Sequence, residues 1–161
     1  MKHDSGREVI ARGIIIHERA VLVNFSRNKK TGEQYCALPG GHVDPGESCA
    51  EALRRELQEE LGCDAQVGAL CFVAESIYAG RKASDKMRHE LVLYFATTLL
   101  QLPPTEAGRI LSPEADKNFR WLPLSDLEAA NLLPPNAKQS LLQLVSNGSV
   151  AAYYSFNDST Q

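Results

Sequence analysis

The amino-acid sequence predicts an α+β fold, an α/β/α sandwich around a mixed β-sheet. Three observations lead there. Apolar, β-branched stretches follow one another in hairpin order, with helical stretches set between them rather than in regular alternation. The clearest helix opens directly out of a glycine- and proline-rich turn. At 161 residues the chain suits a single domain, spanning 1–161, with enough length to bury a core that runs from about residue 8 to 148.

Residues 9–16, VIARGIII, and 20–25, AVLVNF, read as two strands joined by a tight turn around His17–Arg19. SRNKKTGEQ (26–34) is a polar hairpin loop, and YCAL (35–38) is a short third strand. After the Pro39-Gly40-Gly41 turn, a helix runs from about Ser48 to Leu61 and closes at Gly62. Residues 65–78 read as a strand, bent or bulged. GRKASDKMR (80–88) is a basic loop, and HELVLYFATTLL (89–100) is the clearest strand of the chain. A long loop (101–116) with three prolines precedes a strand, FRWLPL (119–124), and a short helix, SDLEAA (125–130). LLPPN (132–136) is a turn into a last helix, 137–148, that ends at Gly148. VAAYYSF (150–156) reads as an extra strand or as a contact in a homodimer.

Composition narrows the function. The net charge of -3 argues against a nucleic-acid polymer as partner, which calls for a basic surface. It leaves room for a small anion held locally. The first residues, MKHDSGREVI, show no apolar core of a secretory signal, and the apolar runs are too short to span a bilayer. Cys36, Cys49, Cys63 and Cys71 form no CxxC pair, so the reading is reduced thiols in a cytoplasmic protein, with neither a disulfide framework nor a zinc site.

The helix at 48–61 carries an unusual charge pattern. Ser48 and Glu51 form an S-x-x-E capping box, and Ala50, Leu53, Leu57 and Leu61 mark its buried face. Glu56, Glu59 and Glu60 lie at i, i+3 and i+4, a strip with Cβ atoms about 5–6 Å apart. Each like-charged pair costs ~3 kcal/mol at 6 Å and an effective dielectric of 20, and under about 1 in bulk water. Glu59 and Glu60 also sit in the last turn, where the helix dipole disfavours anions. A solvated surface with Glu51–Arg55 and Arg55–Glu59 pairs is the bland explanation. The adjoining glycine-proline turn favours another, because carboxylates beside backbone carbonyls make an oxygen-only site suited to Mg2+ or Mn2+.

The stretch Gly41-x5-Glu47-x7-Arg55-Glu56-Leu57-x-Glu59-Glu60-x-Gly62-Cys63 resembles the Nudix box of the MutT-like hydrolases. Its one mild departure is Cys63, a small hydrophobe where Ile, Leu or Val is usual. The resemblance implies a Nudix-type α/β/α sandwich and hydrolysis of a nucleoside diphosphate linked to a moiety X. It implies divalent metal held by the carbonyl of Gly40 and by Glu56, Glu59 and Glu60, with Glu47 and Arg55 pairing to hold the loop on the helix. The metals then supply the missing positive charge. Glu59 or Glu56 is the expected base. Some members of the family use a glutamate from a distant loop, for which Glu106 and Glu114 are the candidates.

Outside the box, Arg81, Lys82, Lys86 and Arg88 make either a solvated loop or a phosphate contact, with Arg81 and Arg88 as the expected ligand-binding residues. His89 is a polar residue at a strand end. Trp121 alternates with Phe119, which favours core packing over base stacking. LLPPN resembles the segment that contacts the purine in MutT-type enzymes. Asn136 therefore reads either as a base-edge partner or, by the commoner use of such a residue, as the N-cap of the last helix. The expected activity is pyrophosphohydrolysis of a (d)NTP. The alternatives are an ADP-sugar or ADP-ribose pyrophosphatase and a non-catalytic nucleotide-binding module.

Overall fold

The computed structural model describes residues 7–79 and 87–148, and the backbone of 153–157. The strands are β1 (Arg7–Ile14), β2 (Ile16–His17), β3 (Ala20–Arg27), β4 (Gln34–Ala37), β5 (Gly40–His42), β6 (Ala65–Tyr78), β7 (Arg88–Leu99), β8 (Thr105–Glu106), β9 (Arg109–Ile110), β10 (Phe119–Pro123) and β11 (Tyr153–Asn157). Two helices, α1 (Cys49–Leu61) and α2 (Pro135–Asn147), complete the set with a 3₁₀ turn at Leu124–Asp126.

The larger sheet has the order β11-β6-β7-β1-β5 and is mixed. β1 and β7 run parallel, as do β11 and β6, while β6–β7 and β1–β5 are antiparallel. The smaller sheet is β10-β3-β2 with β4 also on β3. Alternate residues of β1 and β3 feed two cores. Ile10, Ile14, Val21 and Val23 join Phe72, Tyr94, Ala137 and Leu141 on the α2 side. Ala11, Ile15 and Leu22 join Leu53, Leu57, Leu61 and Phe119 on the α1 side. The helices thus cover opposite faces of the β-layers, as the sequence predicts for an α/β/α sandwich.

Four local expectations need correction. VIARGIII is not one strand: it breaks at Ile15, where the chain leaves the larger sheet for the smaller one. The Pro39-Gly40-Gly41 turn is partly strand, because β5 pairs with β1 through Ile10↔His42, Ala11↔Gly41 and Arg12↔Gly40. The loop after residue 100 contains the small β8–β9 hairpin, and the expected helix at 125–130 is only the 3₁₀ turn. Of the basic loop expected at 80–88, residues 80–86 lie outside the described residues. Three further expectations are met. Glu18 and Arg19, both at positive φ, make the tight turn between β2 and β3. The register of β6 against β7 shifts twice between Val67 and Phe72, the predicted bulge. The C-terminal segment adds β11 to the edge of the larger sheet. Among the described residues no helix is long and apolar enough to cross a membrane.

Candidate active site

The site grows out of the start of α1. Ser48 accepts from the Glu51 N–H, and the Glu51 carboxylate accepts from the Ser48 N–H at 2.7 Å, so both halves of the capping box form. Gly62, in the left-handed region at φ 66°, closes the other end by donating to the Gln58 carbonyl at 2.9 Å. This orientation carries Arg55 over the loop that precedes the helix. Its Nε and Nη2 hold both oxygens of Glu47 at 3.2 and 2.7 Å, and Nη2 also donates to the His42 carbonyl at 3.0 Å. Nη1 reaches Glu56 at 2.9 Å and lies 3.5 Å from Glu59. The Arg55 hydrogen bond, helped by the Asp44 N–H, holds the Glu47 carboxyl below the usual carboxylate range. The same partners, Glu47 first and Glu56 second, hold the guanidinium firmly charged.

Glycine is required where helix and turn meet. The Glu56 carboxylate lies against Gly41 so closely that a Cβ there would fall 2.3 Å from the Glu56 Cδ. Gly40 has φ +126°, and a Cβ on it would stand 2.1 Å from the Ala11 carbonyl oxygen. Its own carbonyl accepts from Arg12 Nη1 at 2.7 Å, a nitrogen that also donates to the Leu38 carbonyl at 2.8 Å.

The three box glutamates do not share one strip. Glu59 is exposed and Glu56 half-buried, but Glu60 is only 2% exposed and faces inward. It lies at i+3 from Leu57 and i+7 from Leu53, which is the buried face of the helix. Ala50 is half-buried, and Ala52 is the fully buried alanine of that face. Glu60 Oε2 accepts the Gly40 N–H at 3.0 Å, and Oε1 takes Lys117 Nζ at 2.9 Å. Burial pushes the Glu60 carboxyl up, against the pull of Lys117 and the Gly40 N–H. Burial also works against the Lys117 ammonium, but Glu60 and Glu114 outweigh it and raise its pKa.

The other predicted residues divide. Glu114 joins the site, 3.4 Å from Lys117 and fixed by its N–H to Ser112 Oγ, whereas Glu106 is exposed on the β8–β9 hairpin. Arg88 is committed to Glu8, with Nη2 2.6 Å from both carboxylate oxygens. Arg81, with Lys82 and Lys86, lies outside the described residues. His89 pairs with Glu75 on the adjacent strand, and Trp121 packs beside the α1 core in tilted contact with His17. Asn136 is not the N-cap: Pro134 holds that position, and Asn136 is the second residue of α2. A proline ring satisfies the φ of a helix start without a side-chain cap, which displaces the expected role. The Asn136 amide instead donates to the Glu75 carbonyl at 3.4 Å and accepts the Ala137 N–H at 3.0 Å.

Sequence reasoning missed Arg12 and Lys117. Arg12 left one trace, an isolated charge within an apolar strand. Lys117 left none, because its partner is 57 residues away.

Among the described residues no three His, Cys, Asp or Glu side chains converge as a ready metal cage. The donor chemistry nevertheless fits a hard divalent cation. Mg2+ is commonly held by one or two carboxylates together with waters and substrate phosphates. Glu56, cradled against Gly41, and Glu59 provide two such carboxylates on one helix face.

The match to the NUDIX domain family model covers residues 7–144. The chain is 30% identical over 128 residues to the 8-oxo-dGTP diphosphatase of Buchnera aphidicola subsp. Schizaphis graminum (strain Sg), covering 80% of this chain and 86% of that protein. Its fold is similar to that of a NUDIX hydrolase from Nitrosomonas europaea, with TM-score 0.66, 16% identity, and coverage of 97% of this chain and 82% of that one. An ADP-ribose pyrophosphatase from Streptococcus suis 89-1591 is also similar, with TM-score 0.58, 16% identity, and coverage of 94% and 98%. At those identities the two structures speak to fold and leave the substrate open. Box, fold and sequence match agree, and the chain belongs to the NUDIX family of hydrolases.

Proposed function

We propose that the protein is a Mg2+-dependent pyrophosphohydrolase that converts a nucleoside triphosphate to its monophosphate and pyrophosphate. Hydrolases of this family act on nucleoside diphosphate derivatives and generally use divalent ions. The observation that carries the reading is the pair Glu56 and Glu59 at the Gly41 turn, one half-buried and one exposed, whose cation among the described residues is Arg55. The triphosphate reading draws support from the Buchnera relative, whose name specifies 8-oxo-dGTP. It also draws support from Asn136 at the opening of α2. There an amide with remaining donor and acceptor capacity can meet a base edge.

A bound divalent cation supplies neutralising charge for the polyphosphate and makes water easier to deprotonate. The residues of the chain do the rest. Arg55 ties Glu47, the His42 carbonyl and Glu56 together, so that the turn and the helix face keep one geometry. Glu59, the most exposed of the box carboxylates, accepts a proton from water as the water oxygen attacks phosphorus. The bridging P–O bond breaks and pyrophosphate leaves. Glu56 is the second choice of base, and Glu114 the third. The four cysteines are free thiols, in keeping with a cytoplasmic protein.

The test is a panel of nucleoside triphosphates, 8-oxo-dGTP, ADP-ribose and ADP-sugars with Mg2+, each product separated by chromatography. Monophosphate and pyrophosphate from a triphosphate support the reading. Turnover of ADP-ribose or an ADP-sugar alone overturns it in favour of the ADP-sugar alternative.

A further inference from the structure

The α2 face of the larger sheet ends in a polar row. Ile10 of β1, Val92 of β7 and Ala74 of β6 lie in register and join the core beneath α2. Two residues along, the same face carries Glu8, Glu90 and Ser76, again in register across the three strands. Glu8 is fully taken up, by Arg88 at 2.6 Å from both oxygens and by His42 at 2.9 Å. Glu90 is held on one oxygen. Its Oε1 accepts from the Tyr78 hydroxyl, with Arg88 farther off at 3.7 Å. Burial, then Glu90, push the Tyr78 hydroxyl up to about 12, so it stays a donor. Among the described residues Glu90 Oε2 has no hydrogen-bond partner, and the side chain is 18% exposed. Ser76 is only 4% exposed, and its Oγ has no partner among the described residues. A hydroxyl buried in that state costs stability, and alanine would pack as well without the cost. The neighbouring Glu75 carbonyl accepts from the Asn136 amide at 3.4 Å, which places the start of α2 beside Ser76.

We propose that Glu90 and Ser76 are specificity-determining residues of the hydrolase and select a nucleobase that carries an exocyclic amino group. This deepens the reading above and rests on it, in that a nucleotide is the substrate. The free carboxylate oxygen accepts an N–H of the amino group. The Ser76 hydroxyl, able to donate or accept, pairs with the ring nitrogen beside it. A base with a carbonyl or a hydrogen in that place leaves the buried acceptor unpaired, which is how a polar site rejects an analogue. Glu90 stands two strands from β5, about 10 Å at ~4.8 Å per strand, a gap that a nucleoside bridges to the box.

The experiment measures kcat and KM with Mg2+ for dGTP against dITP and for dCTP against dUTP, pairs that differ at the amino group. Melting curves accompany the kinetics for the parent, Ser76→Ala and Glu90→Gln. The parent is expected to favour the amino-bearing member of at least one pair by about tenfold or more, mainly through KM. Glu90→Gln turns an N–H towards the base and should bring that ratio to near one. Ser76→Ala should reduce the ratio while melting at or above the parental temperature, because the stranded hydroxyl is gone. A parent that treats both members of each pair alike overturns the inference and leaves triphosphate hydrolysis intact. A parental ratio kept by either variant also overturns it. If Glu90→Gln does not fold, Ser76→Ala decides. If no triphosphate is hydrolysed, the reading above fails, and calorimetry with dGMP, dIMP, dCMP and dUMP judges the inference separately. Tighter binding of an amino-bearing member, lost in Ser76→Ala, supports it; equal binding or none overturns it.

Discussion

Replacing Gly41 with alanine tests whether the Glu56 carboxylate matters by where it sits. The new Cβ falls 2.3 Å from Glu56 Cδ and 2.4 and 2.6 Å from its oxygens. Carbon atoms pack at about 3.5–4 Å, so the carboxylate must withdraw by more than about 1 Å. It is the end of a flexible side chain, and it can move. What is lost is the 2.9 Å bond from Arg55, whose side chain is 33% exposed. Solvent screening holds that loss to about 1 kcal/mol or less, which lowers the melting temperature by about 2–4 °C in a domain of this size. The rate should suffer far more, since a misplacement of 1 Å is worth about 100-fold. Gly40→Ala makes the contrast. There the Cβ meets the Ala11 carbonyl oxygen at 2.1 Å, and φ is +126°. Both are backbone features that no rotamer change relieves, so β5 cannot stay on β1, and the cost is about 3 kcal/mol or more. Thermal melts and kcat/KM on the preferred nucleotide measure both variants. A Gly41→Ala enzyme within a few-fold of the parent would refute the placement of Glu56 in the reacting geometry.

Three further changes probe separate parts of the account. Glu59→Gln should fold and melt like the parent but lose about 10²–10⁴-fold in rate, the worth of a general base; a few-fold loss moves that role to Glu56 or Glu114. Asn136→Ala should raise KM for some nucleobases and not others with little change in melting temperature. A uniform effect on purine and pyrimidine triphosphates would confine Asn136 to tying α2 to the Glu75 carbonyl. Glu8 has its pKa lowered from 4.5 by hydrogen bonds from His42 and then Arg88, so its stabilising effect is complete above 4.5 and is lost as the pH falls through its lower folded value. Glu8→Gln should flatten the fall in melting temperature below pH 4.5; an unchanged pH profile would show that this network does not contribute.

The parts of the fold that were legible in the sequence are those set by neighbouring residues. The capping box at Ser48, the left-handed Gly62, the tight turn at His17–Arg19 and the long strand after Arg88 depend on local chemistry, and the structure has them all. Strand β5 is short and rich in glycine, so it reads as turn until its partner β1 is known. The break at Ile15 is a matter of which sheet each half joins, which hydrophobic alternation does not encode. At the site, the Glu47–Arg55 pair is an expectation of the resemblance to the box rather than of spacing, and the structure has it. The i, i+3, i+4 spacing groups Glu60 with Glu56 and Glu59, whereas its spacing from Leu53 and Leu57 places it inside. A charged residue on the apolar face is tolerable because of a buried partner, and that partner lies far along the chain. An asparagine before a helix suggests a cap, but at Asn136 the prolines before it have already started the helix.

The most direct test of the central claim is the rate of triphosphate hydrolysis as a function of free Mg2+. The acidic groups at the Gly41 turn are proposed to act only with a divalent cation beside them. The account predicts no turnover in EDTA, a saturable rise as Mg2+ is added back, and monophosphate with pyrophosphate as products throughout. Undiminished hydrolysis in EDTA by a protein stripped of metal would contradict it.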